Sequence, residues 1–298
     1  MAVPVKHVLR QGENLGVMAR AARAALFPRT RGGGPLETPT PLVVRTQAPP
    51  PADLVADYVR HVGGTPSAWR GRVPHHLFPQ WAFPLMSETL TQVPYDVSKL
   101  LNGGCTITAN APLPADRPWR LTACLSEVDD DERRAIFTQR ITTGPEDEPE
   151  ALVAEVRVIL PKHSKGPKGP KPPPQVVPVD AHELAWWRLP ATAGRDFAVL
   201  TGDFNPIHWI PPAARAAGFK RCILHGFSTL ARSIEGLRAA RFQGDPDAFS
   251  QVDARFARPV LLPGEVGLYV DDATRSFWVG AAHGAPAALL GSFVPRGA

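Results

Sequence analysis

The stretch from Pro161 to Pro174, PKHSKGPKGPKPPP, divides this chain and limits what it can fold into. It holds no apolar side chain able to join a core, and its prolines favour extended backbone, so it reads as an exposed, partly polyproline-like linker. Of the 298 residues, the stretches on either side are of ordinary domain size, each long enough to bury a core of its own. The linker also explains the charge. Lys162, Lys165, Lys168 and Lys171 supply four of the formal +5, and the remainder is nearly neutral. No nucleic-acid partner is therefore expected, since no nucleic-acid motif accompanies the charge. With 44% hydrophobic and 20% charged residues the chain has a globular composition, and no apolar run approaches the roughly 20 residues of a membrane span. Cys105, Cys124 and Cys222 are odd in number and lack metal-ligand spacing, which suits buried thiols in a reducing cytoplasm.

The two sides of the linker have similar layouts. Residues 1–35 read as an N-terminal extension, with Leu15, Met18, Ala22 and Leu26 at helical spacing in a helix that packs on the body. A transit peptide would have a similar basic composition, but the stretch has no hydrophobic h-region and no serine. In the first half, residues 36–161, Leu42 to Thr46 is a short β-like run. PPADLVADYVRHVGG is a helix, with Pro51 in its first turn and a Gly63-Gly64 stop. A further helix is read in FPLMSETLTQV. RPWRLTACLSEVDDDERRAIFTQRITT gives two strands joined by an acidic turn, and EALVAEVRVIL gives a third. Asp129 to Asp131 are taken as a solvated hairpin tip and not as a metal site.

After the linker, residues 162–175, the second half covers residues 176–298. It shows an extended stretch through Trp186 and Trp187, expected in the core or at an interface. A short helix runs through Asp196 to Leu200, and a long one begins at His225-Gly226. In the long helix Phe227, Leu230, Ala231, Ile234 and Leu237 share a face. Four strand-sized segments follow. A helix and then a meander on each side of the linker implies an internal repeat of architecture.

The candidate chemistry lies in TGDFNPIH, residues 201–208. Pro206 fixes its own backbone and holds Asn205 extended, so Asp203 and His208 are joined by a stiff turn. A carboxylate and an imidazole so placed can hold one water between them as a general acid/base pair. No nucleophile-elbow sequence accompanies them, and one Asp with one His is a poor zinc site, so neither a metal nor a cofactor is expected. Phe204, Ile207 and Trp209 suggest an apolar surround. The unpaired N–H groups at the Gly226 helix start would suit a developing oxyanion. His225 reads as a helix-start residue whose ring meets nearby backbone, and Thr201 and Gly202 as the turn that presents Asp203. His75, His76 and His163 have no acid partner nearby in sequence and are taken as surface or structural.

FAVLTGDFNPIHWIPPAARAAGFKRCILHGFSTLA resembles the signature of the MaoC-like (R)-specific enoyl-thioester hydratases, and DARFARPVLLPGEVGLYV resembles the strand that follows in them. The resemblance covers about 120 residues and implies an α+β, double hot-dog fold, in which two antiparallel sheets each wrap a long central helix. It is similar in layout to the two-hot-dog bacterial 3-hydroxyacyl-thioester dehydratases. It implies reversible syn hydration of trans-2-enoyl thioesters carried on coenzyme A or acyl carrier protein. Asp203 and His208 would be the catalytic pair, with Asn205 and Pro206 supporting and the Gly226 N–H in the oxyanion hole. The first half lacks the motif, its counterpart region being read at LNGGCTITANAPL, so one active site is expected. A hot-dog thioesterase and a non-catalytic acyl-binding subunit are the alternatives. Chain length, carrier and association into a homodimer stay open.

Overall fold

The computed structural model describes residues 3–14, 16, 36–91, 93, 95, 100–162 and 173–297. Leu15, Met18, Ala22, Leu26 and most of the Lys/Pro linker lie outside the described residues.

One 10-stranded antiparallel sheet organises the chain. The first half supplies β1 (Val43–Gln47), α1 (Ala52–His61), α2 (Pro79–Leu90), β2 (Leu101–Ala109), β3 (Trp119–Asp130), β4 (Arg134–Gly144) and β5 (Leu152–Pro161). The second supplies β6 (His182–Leu189), α3 (Ala193–Thr201), α4 (Pro211–Ala216), α5 (Gly226–Arg241), β7 (Phe249–Phe256), β8 (Gly264–Asp271), β9 (Ser276–Gly280) and β10 (Leu289–Pro295). The strand order is β1-β3-β4-β5-β2-β7-β10-β9-β8-β6, so the second five strands mirror the first five. Each five-stranded set accompanies its own central helix, α2 or α5. This is the double hot-dog arrangement.

The elements form for readable reasons. The alternating strands of the first meander pair antiparallel as β3, β4 and β5, with a register shift in β3 between Leu125 and Glu127, and Asp131 caps the β3–β4 turn by accepting the Arg133 and Arg134 N–H groups. The hairpin-tip reading of these acids fits that role. Asp130 pairs with Lys162 at the start of the linker. In α5 the stripe of Leu230, Ala231, Ile234 and Leu237 is buried. The helix α2, PQWAFPLMSETL, is buried on nearly every side, as a helix without a polar face must be, and Trp81 packs on Trp119 of β3 with ring centroids 5.0 Å apart.

Three expectations are corrected here. The halves do not each bury their own core: a single apolar cluster runs from Leu54 through Leu230 to Phe293. LNGGCTITANAPL is not the counterpart of the motif turn but contains β2, the strand that joins the halves by pairing antiparallel with β7 from Gly104↔Arg255 to Thr108↔Gln251. Gly104 has φ +144°, and a side chain there would meet the Ala254 carbonyl. Trp186 is exposed on edge strand β6, its indole N–H donating to Glu265, whereas Trp187 packs against the core.

The true counterpart of the motif follows from topology. Both α1 and α3 end in a glycine of left-handed conformation, Gly63 (φ +87°) and Gly202 (φ +82°). Each is followed by a single-turn 3-10 helix that starts on proline, Pro66–Trp69 or Pro206–His208. Aligned on those prolines, Gly63-Gly64-Thr65-Pro66-Ser67-Ala68-Trp69 is Gly202-Asp203-Phe204-Asn205-Pro206-Ile207-His208-Trp209 with one residue fewer. Gly64 stands for Asp203 and Ala68 for His208. At the helix starts His76-Leu77-Phe78 matches His225-Gly226-Phe227, and the two phenylalanine rings meet edge-on, 5.4 Å apart.

Candidate active site

Asp203, His208 and His225 converge at the start of α5. One carboxylate oxygen and one ring nitrogen from each histidine lie within 4.8 Å of one another. The Asp203 turn and the lead-in to α5 are tied together by three polar contacts. Ile223 donates its N–H to the Ile207 carbonyl at 3.3 Å. His208 Nδ1 lies 2.8 Å from the Ile223 carbonyl and His225 Nε2 lies 3.0 Å from the Asp203 carbonyl. The lead-in is itself fixed to the chain after β7, through Leu224 N–H to Val260 O and Leu262 N–H to Cys222 O.

These bonds decide the tautomers. A carbonyl only accepts, so His208 carries its proton on Nδ1 and His225 on Nε2. His208 Nε2 is thereby left with a free lone pair. The two imidazoles stack with centroids 3.6 Å apart, and His225 also lies 4.9 Å from the Phe197 ring of α3. Both histidines are buried, while the Asp203 side chain is 27% exposed. Burial pushes the His225 pKa down to about 3, the neighbouring His208 adds to this, and Asp203 opposes it. Burial likewise lowers His208, against the pull of Asp203. Both rings are therefore neutral at pH 7.

The local sequence builds the turn. Asp203 accepts the Asn205 N–H and Asn205 accepts the Ile207 N–H, successive Asx-type bonds that fold the backbone around Pro206. Gly194 of α3 lies against the back of the turn, and a Cβ there would sit 2.0 Å from the His208 carbonyl. At Gly226 the space of a Cβ is taken by the Phe256 ring at 3.0 Å, so the glycine admits β7 as well as any substrate. The first α5 amide to find a partner is Ser228, bonded to His225 O. The Gly226 N–H has none among the described residues.

The motif's apolar neighbours cover the site only in part. Phe204 and Ile207 are half-buried and Trp209 is exposed, while the Phe197 ring of α3 lies against His225. His225, read as a helix-start residue meeting backbone, does meet backbone, but it also supports the His208 ring and brings a third potential ligand to what looked like a two-ligand set. Its Nε2 lies against the Asp203 carbonyl, and its buried Nδ1 has no hydrogen-bond partner among the described residues.

His75 and His76 are buried and not at the surface. His76 also has an acid partner: Glu235 of α5, 2.9 Å from its Nε2. Glu235 accepts from Trp69 and Arg238 as well, and a Cβ on Gly64 would fall 2.4 Å from its Oε2. In the first half a carboxylate from the second thus occupies the volume beside the position equivalent to Asp203. His163 lies outside the described residues.

Residues 177–274 match the family described as the MaoC like domain. This part of the chain is a MaoC like domain. The chain is 45% identical over 101 residues to 3-hydroxyacyl-thioester dehydratase X of Mycobacterium tuberculosis, covering 34% of each protein. It is 32% identical over 174 residues to enoyl-CoA hydratase ChsH3 of the same organism, covering 57% of this chain and 59% of that one. The chain thus spans between about a third and three fifths of the length of these relatives. In structure it is similar to HtdX of Mycobacterium tuberculosis, with a TM-score of 0.70 and 25% identity, over 84% of this chain and 98% of that one. The MaoC like domain contains the whole Asp203–His208–His225 cluster and the start of α5. No described helix is long and apolar enough to cross a membrane.

Proposed function

We propose that this protein catalyses reversible syn hydration of trans-2-enoyl thioesters to (3R)-hydroxyacyl thioesters. The observation that supports the proposal is the convergence of Asp203, His208 and His225 at the start of α5, one carboxylate oxygen and one nitrogen of each ring lying within 4.8 Å of one another. In this reading the Asp203 carboxylate and the His208 Nε2 lone pair, left free because Nδ1 meets the Ile223 carbonyl, accept from one water. In the hydration direction the water oxygen bonds to C3 as one of its protons passes to the pair. The electron pair of the C2–C3 double bond moves toward the thioester, making an enolate whose oxygen accepts the Gly226 N–H at the positive end of α5. A proton from the same pair then goes to C2 on the same face. Asn205 and Pro206 hold the turn in shape. No cofactor enters the balance.

The carrier in this reading is coenzyme A or acyl carrier protein. The buried free thiols of Cys105, Cys124 and Cys222 accord with a cytoplasmic location. The dehydratase and hydratase names of the relatives support the same chemistry. Incubation with crotonyl-CoA and longer trans-2-enoyl-CoA esters is expected to remove the enoyl absorbance without releasing free thiol. Thiol release instead would identify a thioesterase, and no reaction at any chain length would favour an acyl-binding subunit. Asp203→Asn and His208→Ala are expected to lower turnover by roughly 100-fold or more with the fold retained. Near-normal rates in both would overturn the assignment.

A further inference from the structure

The turn that carries Asp203 begins where α3 ends, and that end is held from an unexpected place. A helix leaves its last four carbonyls without intrahelical partners. In α3 the Ala198 carbonyl is taken by the Gly202 N–H at 2.7 Å. The other three are taken by two side chains from the N-terminal segment. Gln11 Nε2 donates to Val199 O at 3.2 Å and Leu200 O at 3.1 Å, and Asn14 Nδ2 donates to Thr201 O at 3.0 Å.

These side chains are themselves fixed. Gln11 is 1% and Asn14 3% exposed. Gln11 Oε1 accepts from both Asn14 Nδ2 and Gln80 Nε2, and Asn14 Nδ2 also donates to the Gln80 carbonyl of α2. Gly202 packs directly on Asn14, since a Cβ there would lie 2.2 Å from Asn14 Nδ2. Just before them in sequence, His7 lies 2.8 Å from Asp57, and Lys6 and Arg10 pair with Asp53, all on α1. Residues 4–14 therefore form a strap that crosses from α1 of the first half to the end of α3 in the second. It closes on the residue pair Thr201-Gly202 immediately before Asp203.

We infer that Gln11 and Asn14 are positioning residues for the reaction proposed above: they set the end of α3 and so fix the direction in which the Asp203 carboxylate enters the site. The inference rests on that functional reading. Neither side chain touches the reacting groups. Without them three carbonyls in a buried helix end lose their donors, the last turn of α3 has reason to unwind toward water, and the carboxylate shifts. A displacement of about 1 Å from a distant change can cost on the order of 100-fold in rate.

The test uses the full chain. Asn14→Asp keeps the size of the side chain but places oxygens against the Thr201 and Gln80 carbonyls; Gln11→Ala removes two donors and is the milder change. The expected result is a kcat lowered roughly 10- to 100-fold with KM changed little, in a protein whose amide exchange quickens at residues 199–208 and stays slow in the β2–β7 strands. A purely structural role would speed exchange throughout and reduce only the amount of folded enzyme, with kcat per folded molecule unchanged. That outcome, or a wild-type kcat in Gln11→Ala, overturns the inference. If Asn14→Asp does not fold, Gln11→Ala decides alone. Loss of activity in Asp203→Asn with none in the strap variants would reject the strap and leave the function standing, whereas unimpaired Asp203→Asn would reject the reading beneath both.

Discussion

At the scale of single residues, the histidines show how burial sets chemistry. His208 and His225 share a stacked, desolvated pair in which each ring spends one nitrogen on a carbonyl, and neither gains from being charged. Their pKa values, and that of His75, which burial lowers to about 4, lie below the ordinary histidine value. The consequence for stability has a definite sign. Above about pH 6.5 these histidines are neutral in both folded and unfolded chains and contribute no pH dependence. As the pH falls below that value, the unfolded chain binds protons that the folded one refuses, and stability drops by up to about 1.4 kcal/mol per pH unit for each such histidine until its folded pKa is reached. Thermal melts between pH 7 and pH 4.5 should show this fall, and His75→Gln should make it shallower by the share of one histidine. A melting temperature independent of pH over that range would contradict the burial argument.

At the scale of elements, α3 is the part whose placement matters most. Its left-handed cap at Gly202 points the chain into the Asp203 turn, its Gly194 admits the His208 backbone, and its Phe197 walls the stacked imidazoles. Gly194→Ala should force α3 away from the turn, because a methyl group 2.0 Å from a carbonyl oxygen cannot be accommodated in place. An overpacking cost of about 1–3 kcal/mol is expected, with a larger proportional loss of turnover, readable as a lower melting temperature together with a reduced kcat on the folded fraction. The stiff turn was legible in the sequence because its causes are local: Asp203, Asn205 and Pro206 act on neighbouring backbone. The strap was not, because Gln11 meets Val199 across 188 positions and no sequence period joins them. The helix α2 gave a weak signal for another reason. Nearly all of its sides are buried, so it shows little amphipathic period to read.

At the scale of the whole molecule, the two halves differ in what fills equivalent places. The second half keeps Asp203 and His208; the first has Gly64 and Ala68 there, and Glu235 enters the space with Trp69, His76 and Arg238 around it. The buried carboxylate accepts from all three, and Tyr58 lies 3.0 Å from the other nitrogen of His76. Glu235→Ala would leave Arg238, 2% exposed, as an unpaired buried cation. Breaking a buried pair in this way costs roughly 3–5 kcal/mol, which denaturant titration would register as an earlier midpoint. A loss below about 1 kcal/mol would mean that the network contributes little to joining the halves.

The sequence alone determined the local chemistry and the repeated layout. The TGDFNPIH turn, the glycine at the start of α5 and the strands of both meanders follow from short-range backbone rules, and the double hot-dog class from the family resemblance carried by about 120 residues. Tertiary structure decided which residues share a volume. It placed His225 against His208, carried Glu235 into the first half, made LNGGC the seam strand and brought Gln11 and Asn14 to the end of α3. Each of these depends on pairing or packing between segments far apart in the chain, where the energy of a contact exists only once the whole sheet has closed around its two helices.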